Sequence, residues 1–386
     1  MKKIFSYIIL LLFLGLTCCV EPFAIKNVSY TDILVVDGFI STDVKQHRVA
    51  LSRTTLISER KFIPEVDAQL LIRNGKGEII TLTETEPGLY DTPEIGGAVG
   101  ERYQLLITTS NGREYQSSEV KLRSTPGIGK IYGRYLTNLP NGEKGIQIYV
   151  DTEDQSGSTN YFRWDYIETY EVQAPFASNY EWLGGNNYKF RNLPVGICYP
   201  SDTLKNVLIK TTAGLDQSKV SEFPVRFIPA ESYIMRIRYS ILLRQYSLSA
   251  EAYSYWENLR TINESQGSLY DAQPGIIRGN LFSITDIKET VLGYFDASEV
   301  SQQRVFFSPV DFQPFGYRKP DFQSSCRQLL PELVPLAQLG EYMELNKNKV
   351  LIWDAIGMEP NALFEMLPIH CCDCTSLGTN IKPSFW

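Results

Sequence analysis

Histidine is nearly missing from this chain: 386 residues hold two, His47 and His370. That scarcity leaves little for imidazole-based metal centres or nucleophile–His–acid catalysis. The sequence also lacks a Gly-x-Ser-x-Gly elbow, a His-Glu-x-x-His pair, a P-loop and a dinucleotide fingerprint. It has no basic block and a net charge of −7, so nucleic acid is not an expected partner. Beyond the first twenty residues no apolar run approaches the roughly 20 residues that a membrane-spanning helix needs. No catalytic residue, metal or cofactor is therefore expected. The 44 Asp and Glu leave room for a glycosidase, which needs only two placed carboxylates.

What is present begins at the N-terminus. Met1-Lys2-Lys3 precedes the apolar run Ile8 to Leu14, then Gly15-Leu16-Thr17-Cys18-Cys19. A short basic start and a short apolar core read as a secretory signal. Leu16-Thr17-Cys18-Cys19 resembles the lipobox of bacterial lipoproteins, with Leu at −3, a small residue at −1 and the modified Cys next. Cys19 fits that pattern better than Cys18, which would put Gly15 at −3. The expectation is a signal peptide over 1–18 and a diacylglycerol- and acyl-modified Cys19 carrying a chain such as palmitate. Multiple acyl chains anchor a protein stably, at about 0.8 kcal/mol per buried methylene. Residues 19–30 then form a lipidated tether, and the alternative is an ordinary signal peptide with two incidental cysteines.

The rest reads as mainly β. Ile33 to Ile40, Arg48 to Arg53, Ala68 to Arg73 and Tyr103 to Thr108 are strand-like, with turn signals at Asn74-Gly75 and Asn111-Gly112. They predict an Ig-like β-sandwich over 31–123, with Tyr103 as a tyrosine corner. Thr125-Pro126-Gly127 reads as a boundary, and 129–386 as a larger β-rich domain with few helices. There, Tyr233 to Gln245 alternates Met235, Ile237, Tyr239, Ile241 and Leu243 against arginines on the other face. Ser249 reads as the N-cap of a helix near 250–263, with a turn at Gly267-Ser268. A second helix is expected within Gln328 to Asn346.

Four features bear on chemistry. Asp151 to Gly157 is acidic but lacks EF-hand spacing, so a solvated loop is expected rather than a cation site. Arg163-Trp164 and the arginines of 236–244 would suit an anionic or aromatic ligand, or simply an ion-paired sheet face. Aromatics make up 12% of the chain, which suits strands and also binding surfaces. Exposed aromatics on the second domain are expected to supply contacts for a transporter or its ligand. His370-Cys371-Cys372-Asp373-Cys374 could supply metal ligands with Cys326 or Cys198, form disulfides, or stay reduced. Disulfides are favoured by the oxidising compartment. Cys326 is expected to pair with Cys371 or Cys374, with Cys198 a further candidate and one thiol left over.

Several segments together resemble a known family. They are Leu34-Val35-Val36-Asp37-Gly38, Leu51-Ser52-Arg53-Thr54, Tyr149 to Asp154 and Tyr161-Phe162-Arg163-Trp164. Tyr246 to Ser249, Glu251-Ala252-Tyr253, Trp256 to Leu259 and Asp271-Ala272-Gln273-Pro274 follow. Gly279-Asn280, Leu292 to Phe295, Cys371-x-x-Cys374 and Lys382-Pro383-x-Phe385-Trp386 complete the set. The chain resembles the Bacteroidota lipoproteins called domain of unknown function 4249. That resemblance implies outer-membrane location beside a TonB-dependent receptor, and it brings no catalytic residues. The resulting expectation is a lipid-anchored outer-membrane protein, on either face, serving as a non-enzymatic binding or accessory module for a TonB-dependent transporter in nutrient uptake. The rivals are a surface hydrolase of glycans or peptides and a structural or adhesive envelope protein.

Overall fold

The computed structural model describes residues 32–55, 62–139, 142–204, 206–265, 276–320 and 322–386. Cys19, the signal and tether, Gly267-Ser268 and Asp271 to Pro274 lie outside them. Among the described residues, no helix is long and apolar enough to cross a membrane. The architecture is mainly β, as the alternating patterns require.

Leu34–Ile40 buries Leu34, Val36 and Ile40 on one face. It pairs antiparallel with Arg48–Arg53. Across the core, Gln69–Asn74 pairs with Arg102–Thr108, contributing Leu70, Ile72, Leu105 and Ile107. Tyr103 is buried, and its hydroxyl accepts from the Ala98 N–H at 2.9 Å, as a tyrosine corner does.

The sandwich is not confined to 31–123. Leu281–Ser283 extends one sheet through Glu114–Ser117. Leu292–Ala297 extends the other by pairing parallel with Leu34–Ile40. Leu281, Phe295 and Ala297 join its core. A parallel partner cannot come from a hairpin, so it arrives from far along the chain. Both additions cover strand edges that would otherwise stand unpaired. The backbones approach closely at this crossing. A Cβ on Gly279 would sit 1.5 Å from the Gly293 carbonyl oxygen, and Gly293 adopts φ +99°. Only glycine fits either position.

A second sandwich follows. Gly145–Asp154 lies between Ile128–Leu136 and Ser218–Pro229. Its Ile146, Ile148 and Val150 share a core with Phe162, Trp164, Tyr239, Ile241 and Leu243 of the opposing sheet. The strand expected from Tyr233 begins at Tyr239, because Tyr233–Met235 forms a 3-10 turn capped by the Ser232 side chain. Helix α1 spans Ala250–Ser265, and the Ser249 hydroxyl accepts from the Ala252 N–H at 3.0 Å.

The span 129–386 holds more than one core. A smaller lobe packs Val334, Leu339, Met343, Ile352, Phe364 and Met366 together. Helix α2 covers Leu339–Leu345, with a strand at Glu332–Pro335 before it. Pro331 and Pro335 account for the shortened helix, since proline breaks the backbone ladder.

Candidate ligand cleft between the sandwiches

The seam between the first sandwich and α1 opens into a cleft of about 970 Å³. The first sandwich contributes Arg102, Ser118, Lys121, Arg123 and, from its late-arriving strand, Tyr294 and Asp296. Helix α1 contributes Glu251, Ser254, Tyr255 and Asn258, and Arg278 comes from the segment leading back to the sandwich. Neither module could form the cleft alone. Its volume lies at the upper end of the range of small-molecule sites, while its lining is more polar than such sites usually are.

Beside the cleft the same seam is closed by rings. Phe39 of the first sandwich meets Tyr246 of the second at 5.3 Å. The Arg163 guanidinium lies 4.1 Å from the Tyr246 ring and 4.7 Å from the Trp256 ring. Trp256 contacts Tyr255 at 5.6 Å, and Tyr255 contacts Tyr294 at 4.9 Å, returning to the first sandwich. Phe39 and Asp296 are register partners on adjacent strands, so the chain of rings is nearly a closed loop. Each desolvated cation–π contact is worth up to about 2 kcal/mol. The Arg163 Nε is buried without a hydrogen-bond partner. Tyr246 donates its hydroxyl proton to Asp165, which also receives Arg244.

Electrostatics differ along the cleft. Burial raises the Asp296 carboxyl to about 6, against lowering by the Ala297 N–H, Arg163 and Arg123. Glu251 is lowered by its own N–H and the Ser249 side chain, as suits the first turn of a helix. Burial, with Asp37 nearby, pushes the Tyr255 phenol up to about 12. Arg102 pairs with Glu119 at 3.2 Å. Lys121, Arg123 and Arg278 meet no carboxylate within 4 Å among the described residues.

The residues singled out from sequence fall as follows. Cys326 bonds Cys371, and Cys198 bonds Cys374. Cys372 is the free, buried thiol, pushed up to about 12 chiefly by desolvation. Cys326, His370 and Cys371 lie close together, but two of those sulfurs are spent in the disulfide and cannot act as thiolate ligands. Asp151 to Asp154 end the strand Gly145–Asp154 instead of forming a loop: Asp154 accepts from Ser156, Ser158 and the Thr159 N–H, and Asp151 from Tyr132 and the Glu222 N–H. Those oxygens serve the fold.

The arginine face also has protein partners. Arg238 lies 4.3 Å from the Phe306 ring and 5.3 Å from Trp386, and Arg304 lies 3.6 Å from Phe385. The aromatic ligand of these arginines is the chain's own Phe385-Trp386. Of the aromatics expected to be exposed on the second domain, Phe190, Phe315 and Phe385 are exposed, while no described Tyr or Trp is. The described Tyr and Trp rings pack into cores and seams, where their area contributes most.

The cleft cations and Asp296 were not singled out from sequence. Asp296 had one signal, a lone carboxylate within the apolar run Val291 to Ala297. Many segments that carry the family resemblance meet here: Asp37-Gly38, Arg163-Trp164, Tyr246 to Ser249, Trp256 to Asn258, Gly279-Asn280 and Gly293-Tyr294. Asn280 fixes the crossing by bonding both the N–H and the carbonyl of Phe295, at 2.9 and 2.8 Å.

No curated protein sequence matches the chain. Among solved structures, one similar chain is a DUF4785 family protein from Legionella pneumophila. It is 11% identical, with 55% of this chain and 52% of that one covered, at a TM-score of 0.17. The match thus spans about half of that protein's length. Residues 20–304 match the family described as Domain of unknown function (DUF4249), and the chain belongs to that family.

Proposed function

We propose that this protein is a lipid-anchored envelope binding module whose ligand seat is the cleft between the first sandwich and α1. One observation carries the reading: two modules joined by a ring-packed seam leave beside it a polar cleft of about 970 Å³. A preformed site on a rigid frame loses little entropy on binding. Among the described residues no His or Cys lines the cleft, which speaks against a nucleophile activated by imidazole there. Anchoring runs through Cys19 in the outer membrane, and the partner served is a TonB-dependent transporter. The lipobox resemblance and the family resemblance support those two points.

The test is mild detergent extraction of a tagged chain from its native host, beside Ser254→Trp and Cys19→Ala. Ser254 is exposed on the cleft side of α1, so a tryptophan there fills the opening without touching a core. The native chain should fractionate with the outer membrane and copurify with a β-barrel receptor identified by mass spectrometry. Cys19→Ala should lose the membrane fraction, and Ser254→Trp should lose bound ligand. A native chain that copurifies with no receptor sinks the accessory role.

A hydrolase is the second reading, because one cleft holds a carboxyl lowered in pKa, Glu251, and one raised, Asp296. Turnover of a glycan or peptide by the purified protein, lost in Asp296→Asn, would decide for it.

A further inference from the structure

We infer that the cleft is built for a ligand bearing carboxylate or phosphate groups on a hydroxylated body. This rests on the cleft being the ligand seat. The whole chain carries 44 acidic and 37 basic residues, yet the cleft reverses that balance. Arg102, Lys121, Arg123 and Arg278 line it against Glu119, Glu251 and Asp296.

Each of those acids is already engaged. Glu119 holds Arg102 at 3.2 Å. Glu251 is tied to the start of α1 by its own N–H and Ser249. The Asp296 Oδ1 accepts the Ala297 N–H at 2.8 Å. Lys121 and Arg278 meet no carboxylate within 4 Å among the described residues, Arg123 acts on Glu251 and Asp296 only through its field, and the three come from two separate stretches of chain converging on one opening. A guanidinium matches a carboxylate or phosphate with two parallel hydrogen bonds, which a neutral ligand cannot return. Ser118, Ser254 and Asn258 offer neutral donors and acceptors to hydroxyls. The cleft is open to solvent, so screening should weaken the charge contacts as salt rises.

The experiment is calorimetric titration of the purified soluble chain, residues 20–386, with glucuronate, glucose 6-phosphate and glucose. Thermal unfolding of each variant is checked first. Glucuronate, glucose 6-phosphate or both should bind at least about tenfold more tightly than glucose, and more weakly at 0.3 M than at 0.03 M salt. Preference between the two anions separates a carboxylate from a phosphate. Arg123→Gln and Arg278→Gln should each weaken the anion about five- to tenfold, and Arg278→Glu should abolish it. The glutamine variants keep the aliphatic stem and lose the guanidinium, and the thermal check separates loss of fold from loss of that group. Equal binding of all three sugars, no binding, or anion binding indifferent to Arg123 and Arg278 would overturn the inference. If Ser254→Trp still removes the native ligand in that case, the cleft stands as the seat and only the ligand's charge is wrong.

Discussion

The seam between the two sandwiches has two halves made of opposite materials. In one, Phe39, Tyr246, Trp256, Tyr255 and Tyr294 pack around Arg163, and one cation serves two rings. In the other, Lys121, Arg123 and Arg278 stand around open space. The packed half fixes the distance between modules; the open half inherits that distance as the width of a cleft. A charge placed among rings stabilises, while charges left facing solvent are available to something else. Substitutions should therefore cost stability in the packed half and almost none in the open half.

A fully paired arginine inside the second sandwich sets the upper reference. Arg226 forms two hydrogen bonds to Glu168, at 2.8 and 2.9 Å, and Tyr239 donates to the same carboxylate at 2.8 Å. Glu168→Ala leaves a partly buried guanidinium and a buried hydroxyl without their acceptor. The expected loss is about 3–4 kcal/mol by chemical denaturation, the largest of the set. A loss under 1 kcal/mol would mean that water replaces the carboxylate easily.

Arg163→Ala comes next. It removes two ring contacts and opens a void between Tyr246 and Trp256. The expected loss is about 2–3 kcal/mol, with altered near-ultraviolet circular dichroism from the seam rings. Arg163→Lys should recover only part, since an ammonium cannot lie flat between two rings. The same change should raise Asp296 further, because Arg163 is one of the charges holding it down.

Asp296 tests the border between the halves. Its folded value of about 6 lies above the ordinary 3.8, so the native state binds the proton more tightly than the unfolded chain. Its contribution to stability is then fullest below pH 3.8 and lost as pH rises toward 6, where the native carboxyl ionises. Asp296→Asn should stabilise at pH 7 by about 1–2 kcal/mol, discounted for partial exposure and the retained Ala297 contact. Against the native chain, that gain should shrink as pH falls from 6 to 4. A gain independent of pH would place its cause outside ionisation.

How much of this was legible beforehand follows from range. Local patterns carried the first strands, the Tyr103 corner and the Ser249 cap, because period and capping depend on neighbours in sequence. The membership of Leu281–Ser283 and Leu292–Ala297 in the first sandwich was not legible. Their partners lie more than 150 residues away, and nothing in so short a run names a partner. The cleft fails for the same reason, since Lys121 and Arg278 meet only after that crossing forms. The aromatics show a different limit. Their number was plain, but whether a ring faces a core or solvent is decided by the opposing sheet. For the cysteines, spacing within Cys371 to Cys374 could not choose among partners, and folding alone brings Cys198 to Cys374 across 176 residues.

The smallest effect is the most informative. Arg278→Gln and Arg123→Gln should each change stability by no more than about 0.5 kcal/mol, the range for surface positions that hold nothing together. Both keep the aliphatic stem and lose the guanidinium with its charge and donors. Arg123 has one further duty, since it lowers Asp296; its removal should shift the Asp296 titration upward, readable by carboxyl resonances in NMR. Arg278 is not among the charges acting on Asp296, so Arg278→Gln should leave that titration where it is. The pair thus separates field from contact within one cleft. If Arg278→Gln instead costs as much as Arg163→Ala, the open half is holding the seam together. Its cations would then be structural, and the contrast between the two halves would collapse.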